Sequence, residues 1–311
     1  MAEYLVTGGC GFIGSHLVDA LLAVGHDVRV LDDLSTGKRT NIPLEKITLI
    51  VGDVADPETV TAAMQGVGGC FHLAAVASVQ RSNEQWVPVH RVNLTGSIAV
   101  FNAARTANPA GPVPVVYASS AAVYGDNPNV PLSETERPAP LTAYGADKLG
   151  SELHARVAGH VHGVPTCGLR FFNVYGPRQD PSSPYSGVIS IFASKFAGSQ
   201  AVTLHGDGLQ SRDFVYVGDV VKHLVAALRA ASISAPVCNV CTGRETSVKA
   251  LAETLAALSG AEPEIRYGPA RAGDIRHSLG DPVYASQELQ VSAEIELAQG
   301  LQFLLDSVAA D

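Results

Sequence analysis

The stretch TAYGADK, residues 142–148, places a phenol and an ammonium group four positions apart. On a helix, the side chains of Tyr144 and Lys148 share one face. A neighbouring ammonium favours the phenolate and so lowers the pKa of the tyrosine. A tyrosine whose pKa lies near the working pH can remove a hydroxyl proton as a general base. The spacing therefore predicts acid-base chemistry on an alcohol.

Two serines precede this segment at the end of an apolar run. The sequence VVYASSAAVYG, residues 115–125, is typical of a strand that ends at Ser119 and Ser120. A hydroxyl group there can hydrogen-bond the reacting oxygen and complete a proton relay with the tyrosine.

A glycine-rich turn supplies the context for this chemistry. In TGGCGFIGSH, residues 7–16, Gly9, Gly11 and Gly14 fit G-x-G-x-x-G, whereas Gly8, Gly11 and Gly14 fit the related G-x-x-G-x-x-G. Both patterns allow a tight turn, a close backbone approach to a pyrophosphate and close packing of helix on strand. The amides at the helix N-terminus then hold the negative charge. We predict a dinucleotide site.

Acidic residues follow the next two predicted strands. Asp32 lies eighteen residues after Gly14. A carboxylate there binds the adenosine ribose hydroxyls and repels a 2′-phosphate, which favours NAD over NADP. Asp33, the next residue, is expected to be equally exposed, and either aspartate can bind the ribose. Asp53 either lies at the adenine edge or caps a helix that begins near Pro57.

Short apolar runs alternate with amphipathic stretches through the first half of the chain. EYLVTG, DVRVLD, ITLIVGD, GCFHLAA and VPVVYASS are typical of strands, and residues 12–25 and 93–107 have helical periodicity. This alternation predicts an α/β fold with a Rossmann-like, doubly wound parallel sheet. We assign residues 1–172 mostly to an NAD-binding domain and 173–311 mostly to a smaller α/β substrate-binding domain. Later segments such as VCNV return to the first sheet.

Composition narrows the class of protein. Hydrophobic residues make up 46% of the chain and charged residues 16%, which is enough to build a sizeable core. The formal charge of −9 argues against a nucleic-acid partner. MAEYLVTGG enters a strand directly and lacks the pattern of a signal peptide, and no apolar stretch is long enough to cross a membrane. We therefore expect a cytoplasmic protein without a membrane partner.

The cysteines favour a structural role. Cys238 and Cys241 form a CxxC pattern within PVCNVCTG, which is typical of a short buried strand. Side chains three residues apart on a strand point to opposite faces. We therefore predict neither a metal site nor a redox pair.

Together these motifs resemble the extended short-chain dehydrogenases/reductases, most closely the UDP-hexose 4-epimerases of the UDP-N-acetylglucosamine type. The resemblance covers nearly the whole chain. It rests on TGGCGFIGSH, HLAA, SSAAVYG, YGADK, RFFNVYGPRQ, SRDFVYVGD and ARAGDIRHS, in the family's order.

The resemblance assigns roles to individual residues. It implies a catalytic set of Ser120, Tyr144 and Lys148, the lysine also holding the nicotinamide ribose. It implies that NAD contacts Gly8, Gly11, Phe12, Ile13, Gly14, Asp32, Ser35, Gly37, Asp53, Val54, Ala74, Ala75, Asn93, Tyr144 and Lys148. It implies that the UDP-sugar contacts Ser78, Ser119, Ser120, Asn173, Val188, Arg212, Arg271, Asp274 and Ser278.

Within that substrate set, the resemblance assigns different parts of the UDP-sugar to different residues. Arg212 and Arg271 match the positions that hold the diphosphate, and a guanidinium group suits that geometry. Asn173 and Asp274 match positions near the phosphates and the uridine ribose. Val188 lies in the segment that resembles the uracil pocket.

The resemblance also implies the opening step, in which tyrosine takes the proton from O4 of the sugar while NAD takes hydride from C4. Family members that catalyse dehydration or decarboxylation carry an acidic residue just after the serine/threonine position. Here that stretch contains Ala121 and Ala122, which cannot transfer protons. Without the acid-base group for dehydration or decarboxylation, the remaining reaction is return of the hydride to the other face of the 4-keto sugar, which is epimerisation. NAD then stays bound and is regenerated.

Ser278 suggests which sugar is used. It matches the family position that limits the space beside C2 of the sugar, and a serine leaves space for an N-acetyl group. FNVYGPRQDP also resembles the subset that prefers N-acetylhexosamines. We predict interconversion of UDP-N-acetylglucosamine and UDP-N-acetylgalactosamine, with plain UDP-hexoses used less well.

Two alternatives stay open. One is a nucleotide-sugar dehydratase or reductase, which a 4-keto-6-deoxy product or a net change in NADH would reveal. The other is a non-catalytic NAD-binding scaffold, whose expected mark is a damaged Ser-Tyr-Lys set. The resemblance further implies a homodimer through the long helices after the fourth and fifth strands; their apolar faces allow this.

Overall fold

The structure is a computed structural model that describes residues 2–180, 187–198, 200–260, 264–270 and 275–310. Its strands are β1 (Glu3–Thr7), β2 (Asp27–Asp32), β3 (Thr48–Val51), β4 (Gly69–His72), β5 (Val115–Ser120), β6 (Thr166–Phe171), β7 (Asn173–Tyr175), β8 (Val202–His205), β9 (Ser211–Tyr216), β10 (Val237–Val240), β11 (Glu245–Ser247), β12 (Ile265–Gly268) and β13 (His277–Ser278). Its helices are α1 (Phe12–Ala23), α2 (Pro57–Met64), α3 (Val79–Glu84), α4 (Trp86–His90), α5 (Gly96–Thr106), α6 (Ala143–His162), α7 (Val188–Ala197), α8 (Val217–Ala230), α9 (Val248–Ser259), α10 (Val283–Leu289) and α11 (Leu297–Ala310).

A seven-stranded parallel sheet forms the larger part of the molecule. Its strand order is β10-β6-β5-β4-β1-β2-β3, and every neighbouring pair is parallel. Strands β4 and β6 are buried along their whole length, which explains their continuous apolar sequences. Strand β10 contains the VCNV segment and pairs with β6. The predicted Rossmann-like α/β class is therefore confirmed.

Helices cover both faces of this sheet. On one face, Leu17 and Val18 of α1 and Leu224 of α8 belong to one buried apolar cluster. On the other, Met64 of α2 and Val100 of α5 belong to a second cluster with residues of α6. The strand order reverses between β1 and β4, so a crevice opens at the carboxyl ends of these strands.

Helix α6 has well-defined ends. The Thr142 hydroxyl accepts a hydrogen bond from the Gly145 N–H (3.1 Å) and caps the first turn. Gly163 ends the helix in the left-handed conformation, with φ of 68°. The caps fix which residues belong to the helix, and Tyr144 and Lys148 therefore lie one turn apart near its start.

The smaller part is built around β9. Strand β9 pairs with β7, β11 and β13, and β8 pairs separately with β12. Helices α7, α9 and α11 pack together over an apolar cluster that includes Phe192, Phe196, Leu251 and Leu301. Residues that precede position 172 and residues that follow it both line the crevice.

The cysteines lie in the interior. All five are free and buried. Cys238 and Cys241 belong to different apolar clusters, as expected for opposite faces of a strand. Among the described residues, no group of three or more His, Cys, Asp or Glu side chains is arranged to hold a metal ion. Over the same residues, no helix is long and apolar enough to cross a membrane.

Candidate active site

A crevice with a volume of about 440 Å³ lies at the carboxyl ends of the parallel strands. It is lined from the larger part by the glycine-rich turn, the ends of β2, β3, β4 and β5, and the start of α6. From the other side, it is lined by residues of the Phe171–Val174 segment, Gln179 and Gly187. The predicted residues that line it are Gly8, Gly11, Phe12, Ile13, Gly14, Asp32, Ser35, Gly37, Asp53, Val54, Ala74, Ala75, Ser119, Ser120, Tyr144, Lys148 and Asn173.

The turn between β1 and α1 needs glycine at two positions. Gly8 has φ of +72°, and a Cβ there would lie 2.7 Å from the Ala74 backbone nitrogen. At Gly14, a Cβ would lie 2.2 Å from the Gly8 carbonyl oxygen. Gly14 is common to both patterns, whereas the requirement at Gly8 favours the pattern that begins there. The bare turn leaves space for a pyrophosphate against the N-terminus of α1, so the residues present fit a dinucleotide.

Asp32 and Asp33 both line the crevice, but only Asp32 is buried. Its carboxylate accepts hydrogen bonds from the Cys10 N–H (2.9 Å) and the Leu34 N–H (2.9 Å). Burial raises the pKa of Asp32, whereas these two hydrogen bonds lower it. The fixed carboxylate suits it for holding a ribose, whereas Asp33 accepts from the Ser35 N–H of its own turn.

Asp53 is paired with Arg91, a contact that no local sequence pattern indicates. One carboxylate oxygen lies 2.8 Å from Arg91 Nη1, and the other accepts from the Ala55 N–H (2.8 Å). The helix α2 is instead capped by Asp56, whose side chain accepts from the Glu58 N–H. The structure therefore excludes the capping role for Asp53 and leaves it beside the crevice.

Asn93 and Ser78 lie behind the crevice lining. Asn93 is buried, and its side-chain amide exchanges two hydrogen bonds with the backbone of Val76, at 2.8 and 3.2 Å. Ser78 caps helix α3 by accepting from the Arg81 N–H (3.0 Å). Both residues shape the loop that follows β4, which contributes Ala74 to Ala77 to the crevice.

The phenol and the ammonium meet in the crevice as the sequence indicated. Lys148 Nζ lies 5.7 Å from the centroid of the Tyr144 ring and donates to the Ala118 carbonyl oxygen (2.9 Å). The Ser120 hydroxyl accepts from the Ala122 N–H (3.2 Å) at the end of β5. Adjacent Ser119 is turned inward, where it donates to Glu152. The residues of the predicted catalytic set thus come from β5 and α6.

The electrostatics of the pair differ from the sequence-based expectation. Burial raises the pKa of Tyr144, and hydrogen bonding to Ser120 lowers it. Burial lowers the pKa of Lys148 to about 8, whereas the charge of Asp147 raises it. The expectation of a lowered tyrosine pKa is therefore wrong for the protein alone. Desolvation outweighs the hydrogen bond with Ser120.

A buried polar network stands behind Ser119. Glu152 on α6 pairs with Arg170 on β6 through two hydrogen bonds of 2.9 and 2.7 Å. Arg170 also donates to the hydroxyl of Tyr124 (2.8 Å), which donates in turn to Asn239 (2.7 Å). The network joins α6, β6 and β10 behind the catalytic strand. No local sequence pattern indicates this network, because its members are far apart along the chain.

Among the predicted substrate residues of the smaller part, Asn173 lines the crevice, whereas Val188, Arg212 and Ser278 are not part of its lining. Val188 is the first residue of α7, and Ser278 is the last residue of β13. Arg212 Nη1 donates to the carbonyl oxygens of Ser211 (2.7 Å) and Ile275 (2.8 Å). The predicted residues Arg271 and Asp274 lie outside the described residues.

A dinucleotide cradle beside a Ser-Tyr-Lys set defines a nucleotide-dependent enzyme of the short-chain dehydrogenase/reductase type. The chain belongs to the NAD dependent epimerase/dehydratase family, which it matches over residues 4–241. Its cofactor is NAD.

Three relatives show how far the likeness extends. The chain is 37% identical to a UDP-glucose 4-epimerase of Mycolicibacterium smegmatis, over 96% of this chain and 95% of the relative. A Thermotoga maritima UDP-glucose 4-epimerase solved with UDP-glucose superposes with a TM-score of 0.94 at 34% identity, covering 99% of both chains. A UDP-N-acetylglucosamine 4-epimerase of Methanobrevibacter ruminantium, in complex with UDP-N-acetylmuramic acid, also gives 0.94, at 33% identity, covering 99% of this chain and 98% of that one.

Proposed function

We propose that this protein is a UDP-sugar 4-epimerase whose preferred pair is UDP-N-acetylglucosamine and UDP-N-acetylgalactosamine. The observation that carries the proposal is the convergence of Ser120, Tyr144 and Lys148 on a crevice that also contains the glycine turn. The relatives named above support the 4-epimerase activity.

The proposed reaction assigns one task to each catalytic side chain. Bound NAD supplies a hydride acceptor that returns the hydride later in the same cycle. The Tyr144 oxygen takes the proton from the sugar O4 and gives it back after the keto group has been reduced. The Ser120 hydroxyl hydrogen-bonds the reacting oxygen. The Lys148 ammonium stabilises the phenolate and holds the nicotinamide ribose.

The turn after Ser120 argues against elimination chemistry. Residues Ala121–Tyr124 form a short 3-10 helix directly after β5. Its first two residues, Ala121 and Ala122, have methyl side chains and cannot move a proton. The 4-keto sugar therefore receives no second acid-base group from Ala121 or Ala122, and the Tyr124 hydroxyl is engaged by Asn239 and Arg170. Return of the hydride to C4 is the simplest fate of this sugar.

Substrate binding requires a firm hold on the nucleotide and a looser hold on the sugar ring, because the ring must present both faces. We assign the diphosphate to Arg212 and Arg271 and the nucleoside to Asn173, Val188 and Asp274. Arg212 is supported by its bonds to two backbone carbonyl oxygens, which fix its guanidinium group. Arginine matches the planar geometry of phosphate oxygens.

The N-acetyl preference rests on Ser278. This residue has a small side chain on β13, beside Arg212 in the register of β9 and β13. We infer from this proximity to the proposed diphosphate clamp that Ser278 borders the sugar, where a serine leaves space. The Methanobrevibacter ruminantium enzyme is a UDP-N-acetylglucosamine 4-epimerase of the same fold, whereas the other two relatives named above are UDP-glucose 4-epimerases. The preference is therefore inferred from Ser278.

The test is to supply UDP-N-acetylglucosamine and UDP-glucose separately and to follow the appearance of the C4 epimer by proton NMR. We expect turnover of both, faster with the N-acetylated sugar, and no net change in NADH. Turnover of UDP-glucose alone would refute the N-acetyl preference only. A 4-keto-6-deoxy product or net NADH would refute the epimerase. Tyr144→Phe, which removes the proposed base but keeps the ring, is the inactive control.

We further propose that two copies associate through α5 and α6. Leu153, Val157 and Val161 follow one another at helical spacing on α6 and are 53%, 49% and 61% exposed, and Ile98 on α5 is 37% exposed. An apolar stripe on two long helices favours a four-helix contact between copies. Sedimentation velocity should give a dimer, and Val157→Asp should give a monomer. A monomeric parent chain would refute the contact.

A further inference from the structure

Asp147 occupies a costly position directly before the catalytic lysine. It lies on α6 and is 3% exposed. Its Oδ1 accepts a hydrogen bond from His90 Nδ1 (2.7 Å), whereas its Oδ2 is buried and has no hydrogen-bond partner within the described chain. A buried carboxylate oxygen without a partner loses its hydration and gains little in return. Such a group calls for a functional explanation.

We propose that Asp147, held in place by His90, is a positioning residue that keeps Lys148 protonated for the reaction at Tyr144. The inference rests on the function proposed above, because it concerns the lysine that stabilises the phenolate. It adds Asp147 and His90 to the residues that serve the proposed reaction. His90 lies on α4, far from Lys148 along the chain but in contact with α6.

The surroundings of Lys148 explain why it needs an anion. The lysine is 4% exposed, and its ammonium group donates to a neutral carbonyl group, that of Ala118. His72 faces it from β4, and the pKa of His72 is lowered by burial and by the charge of Lys148, so this histidine is neutral at pH 7. Tyr144 is neutral until it loses its proton. Asp147 supplies negative charge, and its field opposes the effect of burial on Lys148.

His90 holds the carboxylate of Asp147 in place. It is half-exposed on α4 and gives Asp147 its hydrogen bond across the contact between α4 and α6. The neighbouring Arg91 is paired with Asp53 at 2.8 Å, and Arg81 on α3 donates to Gln85. Without the His90 hydrogen bond, the Asp147 carboxylate would lose the side-chain contact that holds it between α4 and α6. The carboxylate would then be free to move away from Lys148, and its field at the ammonium group would weaken.

The test measures the titration of Lys148 directly. The chain contains six lysines, so the protein labelled with ε-¹³C lysine gives few NMR signals, and Lys148→Arg assigns the relevant one. The full chain is used as isolated, with the same cofactor content in every variant. We expect Asp147→Asn to lower the midpoint of Lys148 by about one pH unit or more. The falling limb of kcat against pH should move in the same direction.

Further variants separate the loss of the Asp147 charge from a structural disturbance of the helix. Asp147→Glu, which keeps the negative charge, should restore most of the midpoint. His90→Ala should move it downward, and His90→Gln, which keeps a hydrogen-bond donor, should move it less. His154→Ala removes an exposed histidine from α6 and should leave the midpoint unchanged. If Asp147→Asn does not fold, His90→Ala carries the test.

The outcomes distinguish this inference from the proposed function. Equal Lys148 midpoints in the parent chain and in Asp147→Asn would overturn the inference, even in an active epimerase. A lowered midpoint would support the electrostatic role of Asp147, even if no UDP-sugar were converted. In that case, the proposed function would fail while the control of the lysine charge stood.

Discussion

Lys148 Nζ lies 5.7 Å from the centroid of the Tyr144 ring, one helical turn away on α6. This separation is within the range in which an ammonium group interacts with an aromatic ring. Because burial brings the pKa of Lys148 to about 8, the group is mostly charged at neutral pH but loses that charge under mildly alkaline conditions. The pair therefore contains a charged lysine only over a limited pH range, and the neighbouring residues determine where that range ends.

Ser120 is one such neighbour, and its removal should change the pH profile. Hydrogen bonding to Ser120 lowers the pKa of Tyr144, against the larger effect of burial. In Ser120→Ala the tyrosine pKa should be higher, so the rising limb of kcat against pH should move to higher pH. Turnover at neutral pH should fall about ten- to a hundredfold.

Ser120→Thr is the matched control, because it keeps a hydroxyl group at the same position. It should restore the original limb and much of the rate. A slower Ser120→Ala enzyme with an unshifted rising limb would show that the serine orients the sugar and does not tune the tyrosine.

Ser278→Tyr should act on one substrate and spare the other. A tyrosine at the end of β13 would fill the space assigned to the N-acetyl group, so kcat/KM for UDP-N-acetylglucosamine should fall about a hundredfold or more. Turnover of UDP-glucose should change only a few-fold, and Ser278→Ala should keep both activities. Proton NMR assays with each sugar provide the comparison. Equal losses on both sugars would contradict a steric role.

The parts of the site that could be predicted from sequence are those built from neighbouring residues. The turn between β1 and α1 lies within one short segment, and Gly8 and Gly14 are needed there because a Cβ would collide with backbone. Tyr144 and Lys148 share a helix, so their spacing determines their common face. The parallel sheet was predicted for a similar reason, because each strand carries its own apolar run.

Contacts between distant segments could not be predicted in this way. His90 and Asp147 are 57 positions apart, and Ser119 and Glu152 are 33 apart, so no local pattern links them. The direction of the Tyr144 pKa was missed because it depends on burial, which the tertiary structure decides. The hydrogen bonds between the Asn93 amide and the backbone of Val76 join residues 17 positions apart, and no local pattern predicts them either.

The ion pair behind the catalytic strand should be important for stability. The Arg170 and Glu152 side chains are each 6% exposed, so neutralising one leaves the other buried without its counter-charge. Glu152→Gln should lower the free energy of unfolding by about 3–5 kcal/mol. The double variant Glu152→Leu, Arg170→Met should recover most of that loss, because no uncompensated charge remains. Urea denaturation checks both values; a double variant as unstable as Glu152→Gln would contradict this account.

His72 should make stability depend on pH. It is buried between the hydroxyl groups of Thr7 (2.8 Å) and Ser97 (3.0 Å), and its pKa is lowered to about 3, mainly by burial and also by the charge of Lys148. Between pH 6.5 and 3, the unfolded chain therefore binds a proton that the folded chain does not. The contribution of His72 to stability is complete above pH 6.5 and declines as the pH falls, by up to about 1.4 kcal/mol per unit.

His72→Gln isolates this contribution, because glutamine can donate and accept hydrogen bonds but does not titrate in this range. The free energy of unfolding should be measured by urea denaturation at pH 6.5 and pH 5. Between these two values, the parent chain should lose about 2 kcal/mol more than the variant. His154→Gln, at an exposed position on α6, should behave like the parent. Parallel slopes for the parent and His72→Gln would show that the buried imidazole does not account for the acid sensitivity.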